Sequence, residues 1–447
     1  MVSPAMLTRD KEKARGSRPV TEDIGRDVGK RVALLFTPSL TGGGVARSML
    51  NLAHVFSERG HRVDLVLRQV AGPYLNQAPA TVNVVELKAS PGWLGRVRAL
   101  SAEYNDFGAL LLPVLLAYKP SRTLRYLPDL VRYLRREQPA ALLSAKPYAN
   151  LAALWARRLA GVPTRVVISE RTSLSHEVTQ RSKRWKWQFL PPVIRCVYPS
   201  ADAIVAVSNG VADDLSLTAG IPREGITTIY NPVVMPELYE KARAPLNHPW
   251  FASGTPPVLL GAGRLVAQKD FATLIKAFAR VRAVQEVRLV ILGEGKKRTE
   301  LETLTRELGV ASDVDLPGWI DNPFAYMARA AVFVLSSAYE GLPGVLIQAM
   351  ACGCPVVSTN CPSGPAEILE NGDCGPLVPA GDHEALANAI LSVLNAPIDR
   401  DLLRARAAMF SVDRAADQYL EVLLGTQKRE ERGYTKLPAR EATGSAL

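Results

Sequence analysis

Two clusters in the second half of the sequence contain residue types that could bind a diphosphate. In the first, SSAYEGLPGVLIQAMACGCPVVSTNCPSGPAEIL over 336–369, Glu340 directly precedes a Gly-Leu-Pro-Gly turn that opens a helix. The free N–H groups and positive dipole of such a helix start form an anion site, for which a diphosphate is the natural ligand in an α/β cleft. A turn that binds nothing is the alternative, because short glycine turns are common.

The second cluster, GAGRLVAQKD over 261–270, places Arg264 and Lys269 just after a strand end. Arg264 can bind a phosphate through two parallel hydrogen bonds, and Lys269 adds a mobile point charge. Each cation alone would be interpreted as an exposed residue of a solvated loop. Together with Glu340 and its helix start, they predict one pocket in which cations stabilise a leaving diphosphate without a metal.

Three other patterns imitate metal sites. Asp313 and Asp315 resemble a metal-binding aspartate pair, but we interpret them as the solvated entry of a strand. His176 and Glu177 lack the second histidine of a zinc-protease helix. Four of the five cysteines lie within 352–374 without paired C-x-x-C spacing, which favours buried, reduced thiols. The sequence therefore predicts no metal and no cofactor.

The elements that must position these residues alternate as in an α/β protein. Residues 31–36 read as a strand, 41–44 as a glycine-containing break, 45–59 as a helix and 61–67 as an alternating strand. This βαβ unit implies a parallel sheet, and the same pattern restarts at 258–263. We therefore expect two Rossmann-like, doubly wound domains that face a cleft, with ligand sites at the carboxyl ends of strands.

The length of 447 residues and the composition, 47% hydrophobic and 22% charged, suit two ordinary soluble domains. The expected boundaries are a polar N-terminal tail at 1–29, an acceptor-binding domain at 30–240, a donor-binding domain at 241–400, a helical segment at 401–426 and a disordered tail at 427–447. Because the N-terminus has no apolar core of signal-peptide or spanning length, a cytoplasmic location is expected.

These motifs resemble the retaining glycosyltransferases of family 4, which have the GT-B fold. The resemblance runs from the Gly42-Gly43-Gly44 loop to about Leu394 and is strongest over 340–367. The family's mark is a glutamate, seven residues and a second glutamate, whereas Gln348 stands at the second position here. An amide can still hydrogen-bond a hydroxyl, without the strength of a carboxylate.

The resemblance implies that Arg264, Lys269 and Glu340 carry catalysis, with both cations on the donor diphosphate and Glu340 near the donor sugar. It implies that position 348 contacts the ribose. The residues assigned to the nucleotide-sugar donor are Gly43, Gly44, Gly263, Glu294, Gly295, Trp319, Ile320, Leu342, Pro343, Gly344, Val345 and Gln348.

On the acceptor side, many family members have a histidine where this chain reads Ser169-Glu170-Arg171-Thr172. Glu170 and Arg171 are candidates to line the cleft, and pairing with one another is the alternative. His176 lies nearby and could substitute for the histidine, although a lone loop histidine is more often a bystander.

The positive charge is concentrated in residues 30–240, which hold 26 Lys/Arg and 15 Asp/Glu. Within them, residues 181–190 combine cations with aromatic anchors. This segment suits an anionic membrane surface, and hence a polyprenyl-linked acceptor and a peripheral location on the inner face of the membrane. An ordinary helix with buried tryptophans explains it equally well. Nucleic acid is not expected, because no reading motif accompanies the charge.

The favoured interpretation is a metal-independent hexosyl- or N-acetylhexosaminyl-type transferase. It would move a sugar from a nucleotide diphosphate-sugar to a hydroxyl of a lipid-linked or other cell-envelope glycan, with retention as the resemblance implies. Two rivals stay open: a nucleotide-sugar epimerase or hydrolase of the same fold, and a non-catalytic nucleotide-sugar-binding subunit.

Overall fold

A computed structural model describes residues 30–36, 43–72, 74–102, 122–180, 188–395 and 399–425. These residues form two α/β domains, each built on one parallel sheet, which confirms the expected fold class. Two consecutive residues of strand β4, Leu142 and Leu143, point to opposite faces of the sheet and belong to different apolar clusters. The N-terminal sheet is therefore packed on both faces, as in a doubly wound fold.

The N-terminal sheet has the strand order β3-β2-β1-β4-β5-β6-β7. Its strands are β1 Arg31–Phe36, β2 Arg62–Leu67, β3 Asn83–Glu86, β4 Ala141–Ala145, β5 Arg165–Glu170, β6 Ala203–Ala206 and β7 Ile226–Thr228. The helices of this half are α1 Gly44–Glu58, α2 Gly92–Ala102, α3 Leu127–Glu137, α4 Pro147–Ala160, α5 Leu174–Gln180, α6 Leu190–Val197, α7 Asn209–Ala219 and α8 Glu237–Arg243.

The C-terminal sheet has the strand order β10-β9-β8-β11-β12-β13. Its strands are β8 Val258–Ala262, β9 Arg288–Leu292, β10 Val314–Gly318, β11 Val332–Leu335, β12 Val356–Thr359 and β13 Leu377–Val378. The remaining helices are α9 Phe271–Val284, α10 Arg298–Glu307, α11 Pro323–Met327, α12 Gly344–Ala351, α13 Pro365–Ile368, α14 His383–Asn395, α15 Arg400–Ala408 and α16 Val412–Leu424.

The alternation expected for the second strand is wrong. In β2, every residue after Arg62 is buried. This strand lies between β1 and β3 in a sheet that is covered on both faces, so both sets of side chains meet apolar neighbours.

The expected C-terminal helical segment divides between the two domains. Helix α15 packs on α12, whereas α16 returns to the N-terminal domain and packs on α1. There Asp417 forms a 2.6 Å ion pair with Arg59, and the Val422 carbonyl accepts a 2.7 Å hydrogen bond from Arg165. The chain therefore crosses between the domains a second time. Among the described residues, no helix is both long and apolar enough to span a bilayer.

Candidate functional site

The loops that follow β8 and β11 are bound to each other at the carboxyl edge of the C-terminal sheet. The Ala338 amide donates to the Gln268 carbonyl at 2.9 Å, and Ser336 Oγ donates to the Lys269 carbonyl at 2.9 Å. As a result, Lys269 Nζ lies 2.6 Å from Glu340 Oε1. The structure thus brings together the two charged clusters singled out in the sequence.

Glu340 is held firmly in this position. Ser337 Oγ donates to its Oε1 at 2.7 Å, and its backbone N–H donates to the Pro362 carbonyl at 2.7 Å. The Lys269 and Glu340 side chains are only 14% and 9% exposed, so water screens the pair weakly. An ammonium group has three donors, which leaves Lys269 able to donate to a ligand while it remains paired.

Helix α12 begins beside this pair with its N-terminus open. Pro343 is its N-cap residue, and no side chain among the described residues caps this helix start. The first turn has no acidic residue, so its N–H groups are available to an anion. Leu342 and Pro343 are buried, while Gly344 and Val345 are half-buried.

Arg264 is exposed and has no ion pair with any residue that the structure describes. Its neighbour Gly263 has a φ of 154°, and a methyl group there would lie 3.1 Å from Lys269 Cε. This close approach lets the lysine side chain lie along the backbone after β8. Within the described residues, the loop after β8 therefore carries one cation in an ion pair, Lys269, and one cation without an ion pair, Arg264.

The rim expected for the nucleotide is formed by the loops after β9 and β10. A methyl group at Gly293 would lie 2.0 Å from the Gly263 carbonyl oxygen, so this glycine permits close packing of two backbones. Glu294 pairs with Arg298 at 2.6 Å, and hydrogen bonding from this guanidinium lowers the pKa of its carboxyl. Gly295 packs equally closely on Leu265.

Three further residues expected at the donor site differ in how far they are exposed. Trp319 is 60% exposed and donates from Nε1 to Asp321 at 3.1 Å. Ile320 is partly buried against the core. The Gln348 side chain is half-buried and has no hydrogen bond to any described residue, so its amide is available to a ligand.

The acceptor-side assignment of Glu170 needs correction. Glu170 is 1% exposed and lies inside the N-terminal domain, where Asn150 Nδ2, 2.9 Å away, and the Tyr198 hydroxyl donate to it. Burial raises the pKa of this carboxyl to about 8, and these two hydrogen bonds oppose the rise only in part. No ion pair joins Glu170 to Arg171, although the positive charge of Arg171 is among the interactions that lower the pKa of Glu170.

Arg171 lies at the contact between the domains. A methyl group at Gly341 would lie 2.2 Å from the Arg171 carbonyl oxygen, and Ser208 donates to the Gly341 carbonyl at 2.9 Å. The N-terminal domain therefore touches the residue that follows Glu340. Gly43, the N-cap residue of α1, has a φ of 95° and makes no side-chain capping bond. Gly42 lies outside the described residues.

Sequence reasoning gave little weight to an open cavity of about 480 Å³ between the domains. The cavity is lined by Ser173, Ser175, His176, Gly210, Asp214 and the segment 360–364 with Ala366 and Glu367. The His176 ring lies 4.8 Å from that of Tyr339, the residue before Glu340. No spacing pattern in the sequence marks these residues, because they come from distant segments.

Glu367 also joins the two domains. Its carboxylate accepts from the backbone N–H groups of Asn209 and Gly210 at 2.9 and 2.8 Å, at the start of α7. The Tyr230 hydroxyl donates to it at 3.2 Å. A carboxylate at a helix N-terminus is favoured by the dipole, so this contact stabilises the observed arrangement of the domains.

The residues that imitate metal sites have other partners. Asp313 pairs with Arg282 and Arg288, and Asp315 lies 3.0 Å from His248. The cysteines at 352, 354, 361 and 374 are free and buried, and burial raises the pKa of the first three to about 12. In the described part of the chain, no group of three His, Cys, Asp or Glu residues could hold a metal ion. Residues 181–187 of the basic aromatic segment lie outside that part.

Comparison with known proteins gives matches in both domains. Residues 42–235 match the family described as Glycosyltransferase Family 4, and residues 256–396 match Glycosyl transferases group 1. A crystal structure of HepE from Anabaena in complex with UDP-glucose superposes with a TM-score of 0.68 at 19% identity, covering 89% of this chain and 100% of that one.

Two curated relatives are similar in sequence. One is the N-acetylgalactosamine-N,N'-diacetylbacillosaminyl-diphospho-undecaprenol 4-alpha-N-acetylgalactosaminyltransferase of Campylobacter jejuni, 33% identical over 284 residues, which are 62% of this chain and 74% of that protein. The other is the lipopolysaccharide core biosynthesis glycosyltransferase LpsE of Rhizobium meliloti, 35% identical over 231 residues, 51% of this chain and 65% of that protein. The chain therefore belongs to the family 4 (group 1) glycosyltransferases with the GT-B fold.

Proposed function

We propose that this glycosyltransferase moves a hexosyl or N-acetylhexosaminyl group from a nucleotide diphosphate-sugar to a hydroxyl group of a lipid-linked or other cell-envelope glycan. The transfer retains the anomeric configuration and needs no metal. The observation that carries the proposal is the Lys269–Glu340 pair beside the open N-terminus of α12, with Arg264 exposed nearby.

These groups suit the departure of a nucleoside diphosphate. As the bond between the anomeric carbon and the phosphate oxygen breaks, negative charge grows on the leaving diphosphate. Arg264, Lys269 and the first N–H groups of α12 are donors that can meet this charge in place of a metal. Glu340, fixed by Ser337 and Lys269, faces the donor sugar in this proposal and orients it for transfer.

The acceptor hydroxyl attacks the anomeric carbon from the face that the diphosphate leaves. The new bond joins the acceptor oxygen to that carbon, and the departing phosphate oxygen takes the hydroxyl proton. Retention therefore needs no side chain as base. The open cavity that His176 lines lies next to Tyr339, the residue before Glu340, so it is a suitable place for the acceptor sugar.

The nature of the acceptor is supported by the relatives. The Campylobacter protein is named for an acceptor linked to diphospho-undecaprenol, and the Rhizobium protein for the lipopolysaccharide core. The positive charge of residues 30–240 suits such anionic acceptors and the membrane that carries them.

A donor panel tests the proposal. Purified protein is incubated with UDP-, GDP- and ADP-sugars, with and without membrane extract, and released nucleoside diphosphate is measured. We expect release from one donor class that depends on the extract and persists in excess EDTA. Equal release without extract would favour a hydrolase, and binding without release a non-catalytic subunit. Loss of activity in EDTA that manganese or magnesium restores would contradict the metal-free mechanism.

Membrane contact through residues 181–187 is tested separately with vesicles. We expect the protein to bind anionic vesicles and to be released as salt rises, because screening acts beyond roughly 8 Å at physiological ionic strength. Replacing Arg181, Lys183, Arg184 and Lys186 with serine should abolish this binding while leaving donor turnover unchanged. Unaltered vesicle binding would contradict this role and return the segment to an ordinary helix.

A further inference from the structure

Arg171 has an unusual environment for a buried cation. The residue is 5% exposed, and its Nη1 donates to Asn231 Oδ1 at 2.6 Å. Its Nε and Nη2 are buried and have no hydrogen-bond partner in the described part of the chain. The Tyr419 ring centroid lies 5.7 Å from the guanidinium carbon, and the ring offsets part of the cost of burying this cation, but it provides no acceptor for two N–H donors, which still need an explanation.

A chain of hydrogen bonds connects Arg171 to α1. Ser48 Oγ donates to the same Asn231 Oδ1 atom at 3.4 Å, so Asn231 connects Arg171 to this helix. Residues four apart share a helix face, which places the Gly44 N–H on the side of Ser48 and Asn231. Among the residues that the structure describes, no side chain caps the start of α1, and its first turn contains no acidic residue.

The start of α12 approaches the same place from the other domain. A methyl group at Gly344 would lie 3.6 Å from Val233, two residues after Asn231. The Arg171 carbonyl is packed against Gly341, three residues before that helix begins. Arg171 is therefore connected to segments next to the N-termini of two helices, α1 of 15 residues and α12 of eight, one from each domain, and helix N-termini favour an anion.

We propose that Arg171 binds a phosphoryl group in the cleft through Nε and Nη2, facing Arg264 and Lys269 from the N-terminal domain. The two free nitrogens form one edge of the planar guanidinium group, and such an edge matches two oxygens of a phosphate. This inference rests on the proposed function and deepens it. The phosphoryl group belongs either to the donor diphosphate or to a phosphorylated acceptor.

Titration calorimetry with inorganic pyrophosphate tests the site, because this probe needs no sugar or base. We expect Arg171→Gln to bind pyrophosphate roughly tenfold or more weakly than wild type, as for the loss of charge-assisted hydrogen bonds. Arg171→Lys, which keeps the charge but loses the planar edge, should fall between them. The matched control is Arg132→Gln, an exposed arginine that pairs with Asp129 on its own helix, and it should bind as wild type does.

A second titration distinguishes the two sources of the phosphoryl group. It is repeated in saturating UDP, or in whichever nucleoside diphosphate the donor assay releases. Blocked pyrophosphate binding assigns Arg171 to the donor diphosphate. A second pyrophosphate that binds beside the nucleotide, and that is lost in Arg171→Gln, assigns it to an acceptor phosphate.

Wild-type affinity of Arg171→Gln under both conditions would overturn the proposal. If this variant does not fold, Asn231→Asp decides instead, because a carboxylate beside Nη1 should neutralise the cation and weaken pyrophosphate binding. Unchanged affinity in Asn231→Asp and Arg171→Lys would equally overturn it. Failure of the glycosyltransferase proposal would be seen elsewhere, as the absence of nucleoside diphosphate release by the wild-type protein.

Discussion

The carboxyl ends of β5 and β11 each place a buried glutamate near the contact between the domains. Glu170 ends β5 and is 1% exposed, and Glu340 follows β11 and is 7% exposed. Their partners differ in charge. Neutral groups of Asn150 and Tyr198 surround Glu170, whereas the Lys269 ammonium lies 2.6 Å from Glu340.

The difference shows that position at a strand end does not by itself make a carboxylate functional. Without a cation paired to it, the Glu170 carboxyl avoids charge through a raised pKa and serves the interior of its domain. The lysine beside Glu340 stabilises a charged carboxylate near open helix N–H groups, where a ligand can reach it. The presence of a paired lysine therefore distinguishes Glu340, the candidate catalytic glutamate, from Glu170, the structural one.

The largest expected effect tests whether the charge near β11 serves a ligand. Arg264→Ala should lower turnover by roughly one hundred to one thousandfold, because a donor that meets growing negative charge contributes about 3 to 4 kcal/mol to the barrier. Its melting temperature should hardly change, because Arg264 is exposed and has no ion pair with any described residue. Turnover and thermal unfolding are measured on the same preparation.

Arg280→Ala is the matched control, since Arg280 is also exposed but pairs with Glu384 on the surface. It should retain full turnover. Equal loss of turnover in both variants would contradict a specific role for Arg264, and with it the functional half of the comparison.

A second test separates folding from catalysis at the Lys269–Glu340 pair. Because the pair is largely buried, Lys269→Ala leaves a carboxylate without its cation and should lower the free energy of unfolding by about 3 kcal/mol or more. Urea unfolding checks this value.

The double variant Lys269→Met with Glu340→Gln removes both charges and should recover much of that stability while remaining inactive. If Lys269→Ala is as stable as wild type, the pair contributes nothing to folding. Glu340 would then tolerate the loss of its cation, and its contrast with Glu170, which has no ion pair, would disappear.

The fold could be predicted from the sequence further than the site. Glycine turns after apolar runs marked the start of both parallel sheets in the sequence. That Arg264, Lys269 and Glu340 would lie near one another followed from parallel topology, because all three come after strands of one sheet. Each of these inferences depends on local sequence or on periodicity.

The contacts that decide the roles of Glu170 and Arg171 come from elsewhere in the chain. Asn150 and Tyr198 are 20 and 28 residues from Glu170, and Asn231 is 60 residues from Arg171. Sequence reasoning placed both side chains near a strand end but had no means of showing which way each one points. Packing of α4 and of the loop after β7 settles that question.

A pH series tests the structural half of the comparison. The folded pKa of Glu170 is about 8 against a normal value of 4.5, so the folded state holds this proton more tightly than the unfolded state. The contribution of Glu170 to the free energy of unfolding should therefore be highest below about pH 4.5 and fall as pH rises towards 8, by at most about 1.4 kcal/mol per pH unit.

Glutamine does not titrate, so the stability of Glu170→Gln relative to wild type should increase from pH 5 to pH 8. Urea unfolding of both proteins at four pH values measures this difference. A difference that is constant over the series would show that Glu170 keeps the same charge throughout, and its environment would then be no different in kind from that of Glu340.

The smallest expected effect concerns position 348, on the helix that begins beside Glu340. Gln348→Glu restores the glutamate that the family pattern has there, and the side chain has no hydrogen bond to any described residue that the change would break. Donor affinity should change by no more than about 1 to 2 kcal/mol, the size of one hydrogen bond to a charged group, with the melting temperature unaltered. Calorimetric titration of the donor into both proteins gives this number. If binding is abolished, the added carboxylate lies close enough to repel the diphosphate. Position 348 would then lie beside the phosphates and not beside the ribose.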